Sequence, residues 1–107
     1  MMKYCREVIF LAKGFSYGDF IEDFRTHRAC VLSIFQIGEL TKKLSDDLKE
    51  VHHYIPWRGI VAVRNFIAHD YEDLDWQIIW MAIQESVPEL LVYLEKILIE
   101  LNMKGDK

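Results

Sequence analysis

Cysteine and proline are scarce in this 107-residue chain, with two of each, and long apolar runs are missing altogether. Cys5 and Cys30 stand far apart and outside any Cys-x-x-Cys pattern, so neither a disulfide framework nor a thiolate metal site finds support, and both read as buried reduced thiols. Charge interrupts every apolar stretch well before the roughly 18 to 20 residues that a bilayer crossing needs. The segment Met1 to Gly14 carries Lys3, Arg6, Glu7 and Lys13 and lacks the small-residue cleavage site of a secretory signal. These absences lead to the expectation of a cytoplasmic protein with no membrane partner. Positive charge is also in short supply: 13 Lys and Arg face 17 Asp and Glu, a net charge of −4. Strong non-specific affinity for a phosphate backbone needs many cationic contacts, so any nucleic-acid chemistry here has to be local. Finally, no alternating β-branched run lies between turn signals, which leaves no strand to propose.

What is present is helical spacing along most of the chain. The length and the half-apolar composition fit a single domain, residues 1–107. A first helix is predicted over Met2 to Lys13, with Met2, Cys5, Ile9 and Ala12 on one face and Gly14 as its stop. Ser16 to Asp23 reads as a short helix or turn leading into a long helix from Glu22 to Lys49. Along that helix Val31, Ile34, Gly38 and Thr41 form a stripe that Cys30, Ile37, Leu44 and Leu48 broaden. Gly38 lowers helix propensity, which hints at close contact with another backbone. Pro56 suits the first turn of a third helix reaching Ala68. The polar run Asp70 to Asp75 then breaks the pattern, and Asp73 or Asp75 can cap a final helix from Trp76 to Leu101, kinked at Pro88. The fold class is therefore all-α, an antiparallel bundle of four to five helices.

Chemistry concentrates in the third helix. Arg64, Asn65, His69 and Tyr71 fall within eight residues of one another. At about 100° per residue, Arg64 and Tyr71 nearly coincide on an ideal helix, and Asn65 and His69 lie together roughly a third of a turn away. Ile60, Val63, Phe66 and Ile67 occupy the opposite side. A histidine moves protons near neutral pH, an arginine holds a phosphate and offsets charge that develops on it, and Tyr71 and Asn65 can orient both by hydrogen bonds. Such a set fits attack by a ribose 2′-hydroxyl on its own phosphate, with His69 as general acid or base and Arg64 stabilising the transition state. On periodicity alone, a lone histidine on a helix is more often a hydrogen-bonded structural residue.

The spacing Arg64, four residues, His69, one residue, Tyr71 resembles the Arg-x4-His-x-Tyr motif of HepT-like proteins in the HEPN superfamily. The resemblance extends through Ile37-Gly38-Glu39, Lys42 to Ser45, Pro56-Trp57-Arg58, Arg64-Asn65 and Val87-Pro88-Glu89-Leu90. It implies a HEPN-like bundle that pairs as a homodimer, lines one cleft with the Arg and His motifs of two subunits, and cleaves RNA, mRNA or tRNA, with no metal and no cofactor. Arg64 and His69 inherit the catalytic roles and Asn65 a supporting one. The resemblance further implies a toxin-antitoxin pair in which an MntA-like nucleotidyltransferase adenylylates Tyr71 and silences the toxin. A bulky anionic group beside Arg64 would fill the phosphate site and repel RNA. An alternative is a non-enzymatic helical dimer that serves such a nucleotidyltransferase as binding subunit or substrate, and a third is a plain oligomerisation domain. Two departures stand out. The first helix is shorter than the family's, which leaves the biological start and part of the pairing surface open. The net charge is negative, although Arg25, Arg28, Arg58 and Arg64 can form a local basic rim.

Other features read as structural. His52 and His53 point about 100° apart on a helix and have no obvious third ligand. The acidic run Asp70, Glu72, Asp73 and Asp75 suits a helix start. Trp57, Trp76 and Trp80 can stack on bases, yet two of them fall on the apolar stripe of the last helix and suit packing.

Overall fold

The computed structural model describes residues 1–105, and among these it contains helices and no strand. Helix α1 (Met2–Ala12) ends where Gly14 takes φ +81°, a left-handed conformation that a residue without Cβ adopts at little cost. Helix α2 (Tyr17–Glu22) opens on a reciprocal cap: the Asp19 amide donates to Ser16 Oγ and the Ser16 amide donates to the Asp19 carboxylate, both at 3.1 Å.

The expected helix from Glu22 to Lys49 is three elements. Between α2 and α3 (Phe24–Lys43) stands Asp23, and between α3 and α4 (Asp46–Val51) stand Leu44 and Ser45. Asp23 and Ser45 both have extended backbones, and their side chains accept the amides of Thr26 at 3.2 Å and Leu48 at 3.1 Å. Each side chain offers the chain a local alternative to helical continuation, so each starts a new helix instead of extending the previous one. The Thr26 amide also holds the Asp23 carboxyl below the usual carboxylate range.

Helix α5 (Trp57–Asp70) follows Pro56 and runs two residues past the expected Ala68. A single 3-10 turn (Tyr71–Asp73) leads to Asp75, whose carboxylate accepts the Gln77 amide at 3.1 Å and starts α6 (Trp76–Met81). The last helix widens into a π-helical turn over Ala82–Ser86 before continuing as α7 (Val87–Gly105). The irregularity lies immediately before Pro88, which has no amide and would press its ring on the carbonyl four residues back. In the wide turn the Val87 amide reaches the carbonyl of Ala82, five residues back.

Helix α3 lies at the centre, packed on α1 along one side and on α5 along the other, with α7 closing against α1. Gly38 meets Arg64 while Leu32 and Phe35 meet Ile67, Ala68 and Tyr71, so α3 and α5 run antiparallel. The stripe expected on the long helix is the core face of α3: Cys30, Val31, Ile34, Ile37, Gly38 and Thr41 are all buried, and Leu44 packs at its edge. Leu48 is half-buried on α4, not on α3. Phe20, Ile55, Ile79, Val8 and Cys5 complete the fully buried set. Thr41 is the one polar side chain at that depth among the described residues, and its hydroxyl donates to the Ile37 carbonyl at 2.8 Å. No helix among the described residues is long and apolar enough to cross a membrane.

Candidate active site

The site is built where α3 and α5 come closest. A Cβ placed on Gly38 would stand 2.2 Å from Arg64 Cβ and 2.8 Å from its Cγ, so only glycine leaves room for the arginine stem. The close backbone approach hinted at by Gly38 is therefore an approach to Arg64. The next residue of α3, Glu39, accepts from Arg64 Nε in an ion pair. Arg64 Nη1 donates to Asn65 Oδ1 at 3.0 Å, and the guanidinium lies 4.8 Å from the centre of the Phe35 ring. An arginine carries five N–H donors. Two are committed here, which fixes the plane of the group and leaves the others for a ligand. The Arg64 side chain is about 20% exposed, a stem packed in the helix seam with its charged end at the surface.

His69 lies one and a half turns farther along α5 and is exposed, as is Asn65. Tyr71 departs from the ideal-helix placement, because Asp70 leaves the helical region at φ −127°, ψ 32° and α5 ends there. The tyrosine sits on the following turn, 47% exposed, and lines an open groove of about 470 Å³ with Arg28, Leu32, Phe35 and Ala68. Phe35 thus contacts the Arg64 guanidinium and also walls the Tyr71 groove, which puts both residues on the α3 side of α5. His69 projects from a different part of α5, facing away from the core stripe of Ile60, Val63, Phe66 and Ile67. Glu39 is the member of this cluster that spacing analysis passed over. Its signal was present, since a carboxylate follows a helix glycine, but its partner is 25 residues away in sequence.

The expected basic rim divides. Arg28 lines the Tyr71 groove, Arg64 the seam, and Arg58 a second hollow near the start of α5. Arg25 belongs elsewhere, in a hollow shared with Asp19, Glu22 and Asp23. His27, a spare polar residue by sequence, is a clamp: its Nδ1 pairs with the Phe20 carbonyl at 3.1 Å and its ring lies 4.6 Å from that of Trp76. His52 Nδ1 pairs with the Tyr54 hydroxyl and His53 Nδ1 with the Glu50 carbonyl. Trp76 and Trp80 pack around Phe20, and Trp57 is buried with its indole N–H donated to the His52 carbonyl. Burial pushes both thiols, Cys5 and Cys30, up to about 11, which keeps them protonated and unreactive near neutral pH. Among the described residues no three His, Cys, Asp or Glu side chains are grouped to hold a metal ion.

Comparison with known proteins places this arrangement. The family described as "Ribonuclease HepT-like" matches residues 1–97. The chain is 35% identical over 98 residues to a protein of Caldanaerobacter subterraneus subsp. tengcongensis named "Putative RNase", covering 92% of this chain and 88% of that one. It is 32% identical over 81 residues to the "Probable ribonuclease HepT" of Thermococcus cleftensis, covering 76% and 74% of the two chains. A "Putative RNase" of Methanocaldococcus jannaschii is 27% identical over 93 residues, covering 87% and 77%. No solved structure matches the chain. With the family match spanning nearly the whole sequence and the relatives aligned along most of their own length, the chain belongs to the HepT-like ribonuclease family.

Proposed function

We propose that the protein is an RNA endonuclease that cuts by internal attack of the ribose 2′-hydroxyl, without a metal, and that it acts as the toxin of a toxin-antitoxin pair. The observation that carries this reading is the held guanidinium: Glu39, Asn65 and Phe35 fix Arg64 at the surface of the α3–α5 seam, on the helix that also bears the exposed His69. Such preorganisation suits an arginine that offsets charge on a phosphate passing through a five-coordinate state. Family membership supports RNA as the substrate.

In this mechanism His69 takes the proton of the 2′-hydroxyl, the oxygen attacks phosphorus, and the bond to the 5′-oxygen of the next nucleotide breaks. That oxygen needs a proton, which His69 of the partner subunit supplies in a homodimer whose two motifs share one cleft. The products are a 2′,3′-cyclic phosphate and a 5′-hydroxyl end. Tyr71, exposed in the groove beside Phe35, is the site at which an MntA-like nucleotidyltransferase antitoxin attaches an adenylyl group. Negative charge placed there would meet Arg28 and Arg64 and compete with RNA.

Purified protein incubated with RNA should produce cyclic phosphate ends, and His69→Ala or Arg64→Ala should lower the cleavage rate by roughly 10²- to 10⁴-fold with helical content unchanged. Expression of the parent should arrest growth, and both variants should relieve the arrest. Full activity in both variants would remove this site from the reaction. A parent that cuts no RNA yet forms a stable complex with the nucleotidyltransferase would instead make the chain its binding subunit.

A further inference from the structure

The α5 surface on the N-terminal side of Asn65 carries a second hollow, of about 300 Å³, lined by Lys49, Trp57, Arg58, Val61, Ala62 and Asn65. We infer that this hollow is a subsite for the RNA backbone, in which Lys49 and Arg58 hold a phosphate on one side of the cleavage point. The inference rests on the ribonuclease reading and extends it to how a strand is threaded.

Three observations support it. The first is continuity. Asn65 lines the hollow and also accepts from Arg64, so the hollow opens directly onto the proposed catalytic group. Arg58 and Asn65 are seven residues apart on one helix, about 10 Å along its axis. The second is charge. In a chain of net charge −4, the ion pairs among the described residues engage Arg6 and Arg64, and Lys49 and Arg58 are in neither. Two cations without an acidic partner at one hollow are complementary to an anion. The third is the floor. Trp57 is buried and its indole N–H is spent on the His52 carbonyl at 3.1 Å, so its ring does not present a face for stacking on a base. Together with Val61 and Ala62 it makes an apolar floor, so a phosphate would be held at the rim, by Lys49, Arg58 and the Asn65 amide.

The Tyr71 groove lies at the opposite end of α5, on its α3 side, and adds Arg28. Cations therefore stand beside the start, the middle and the end of α5. Positioning by phosphate contacts brings no sequence information, so this track predicts a substrate read by strand and not by base.

The test compares the parent with Lys49→Gln/Arg58→Gln on two substrates, a single-stranded RNA decamer and a dinucleotide too short to reach the hollow. The variant should raise KM for the decamer roughly tenfold and reduce the salt dependence of its binding, by about 1 to 1.5 in the log-log slope for two lost contacts. Cleavage of the dinucleotide should stay unchanged. Equal losses on both substrates, or none on either, would overturn the subsite. Decamer binding is also measured by fluorescence anisotropy on the parent and the variant, which separates the two levels of the proposal. If the parent binds without cutting and the variant binds more weakly, the subsite stands and the nuclease reading falls. If the variant binds RNA as the parent does but loses a nucleotidyltransferase complex, the hollow is a protein-docking surface and the inference fails.

Discussion

Two neighbouring residues of α3 decide where Arg64 sits. Gly38 gives its stem a channel and Glu39 receives its Nε, so the arginine is placed by backbone proximity as much as by its own helix. Gly38→Ala therefore puts a methyl group into atoms of the arginine stem that belong to a packed helix and cannot swing aside. The substitution should cost about 1 to 3 kcal/mol in stability, as overpacking of a core does. It should also displace Arg64 from the site, where a misplacement of about 1 Å can cost on the order of 10²-fold in rate. Denaturant unfolding measures the first effect and RNA cleavage under native conditions the second. A variant that loses stability but keeps full activity would show that Arg64 need not be seated in this channel.

At the level of elements, the helix starts are made by side chains that compete with the helix before them. Ser45 Oγ accepts the Leu48 amide and separates α4 from α3. Ser45→Ala removes that acceptor and should destabilise the protein by about 1 kcal/mol, a fall in Tm of roughly 4–8 °C for a domain of this size. Thermal unfolding followed by circular dichroism checks it, with Thr at the same position restoring most of the loss. These breaks also mark how far the sequence could be read. The apolar stripe from Cys30 to Thr41, the stop at Gly14, the start behind Pro56 and the cap at Asp75 were legible, because each depends on neighbours within a turn or two. The division of the long helix was written in Asp23 and Ser45, yet apolar periodicity runs across both positions and masked it. The pairing of Arg64 with Glu39, the clamp that His27 forms between Phe20 and Trp76, and the turn that carries Tyr71 off the helix depend on which helices meet. Spacing along one chain holds no information on that. The widened turn before Pro88 is an intermediate case: the proline announced an irregularity, and its form was set by the amide of Val87 finding Ala82.

Taken whole, the molecule keeps a sizeable apolar surface uncovered beside the site. Leu32 is 61% exposed and Phe24 55%, on the stretch of α3 that also bears Arg28 and Phe35. Leu32, at the edge of the Tyr71 groove, and Phe24 suit contact with a second copy of the chain in the proposed homodimer better than open water, with Tyr71 itself left accessible. Leu32→Asp should then yield a monomer with the helical content of the parent and greatly reduced RNA cleavage, because each copy would lose the proton donor of the other. Light scattering coupled to size exclusion gives the mass, and an active monomer would show that one copy suffices.

The channel at position 38 also bears on how relatives of this protein are interpreted. Surveys that judge competence by the Arg, His and Tyr letters alone would accept a paralogue carrying alanine or serine opposite the arginine, although its motif would be spelled correctly and mechanically disarmed. A single codon change far from the signature, in a helix with no reacting group, would thus be enough to unseat the arginine of the motif.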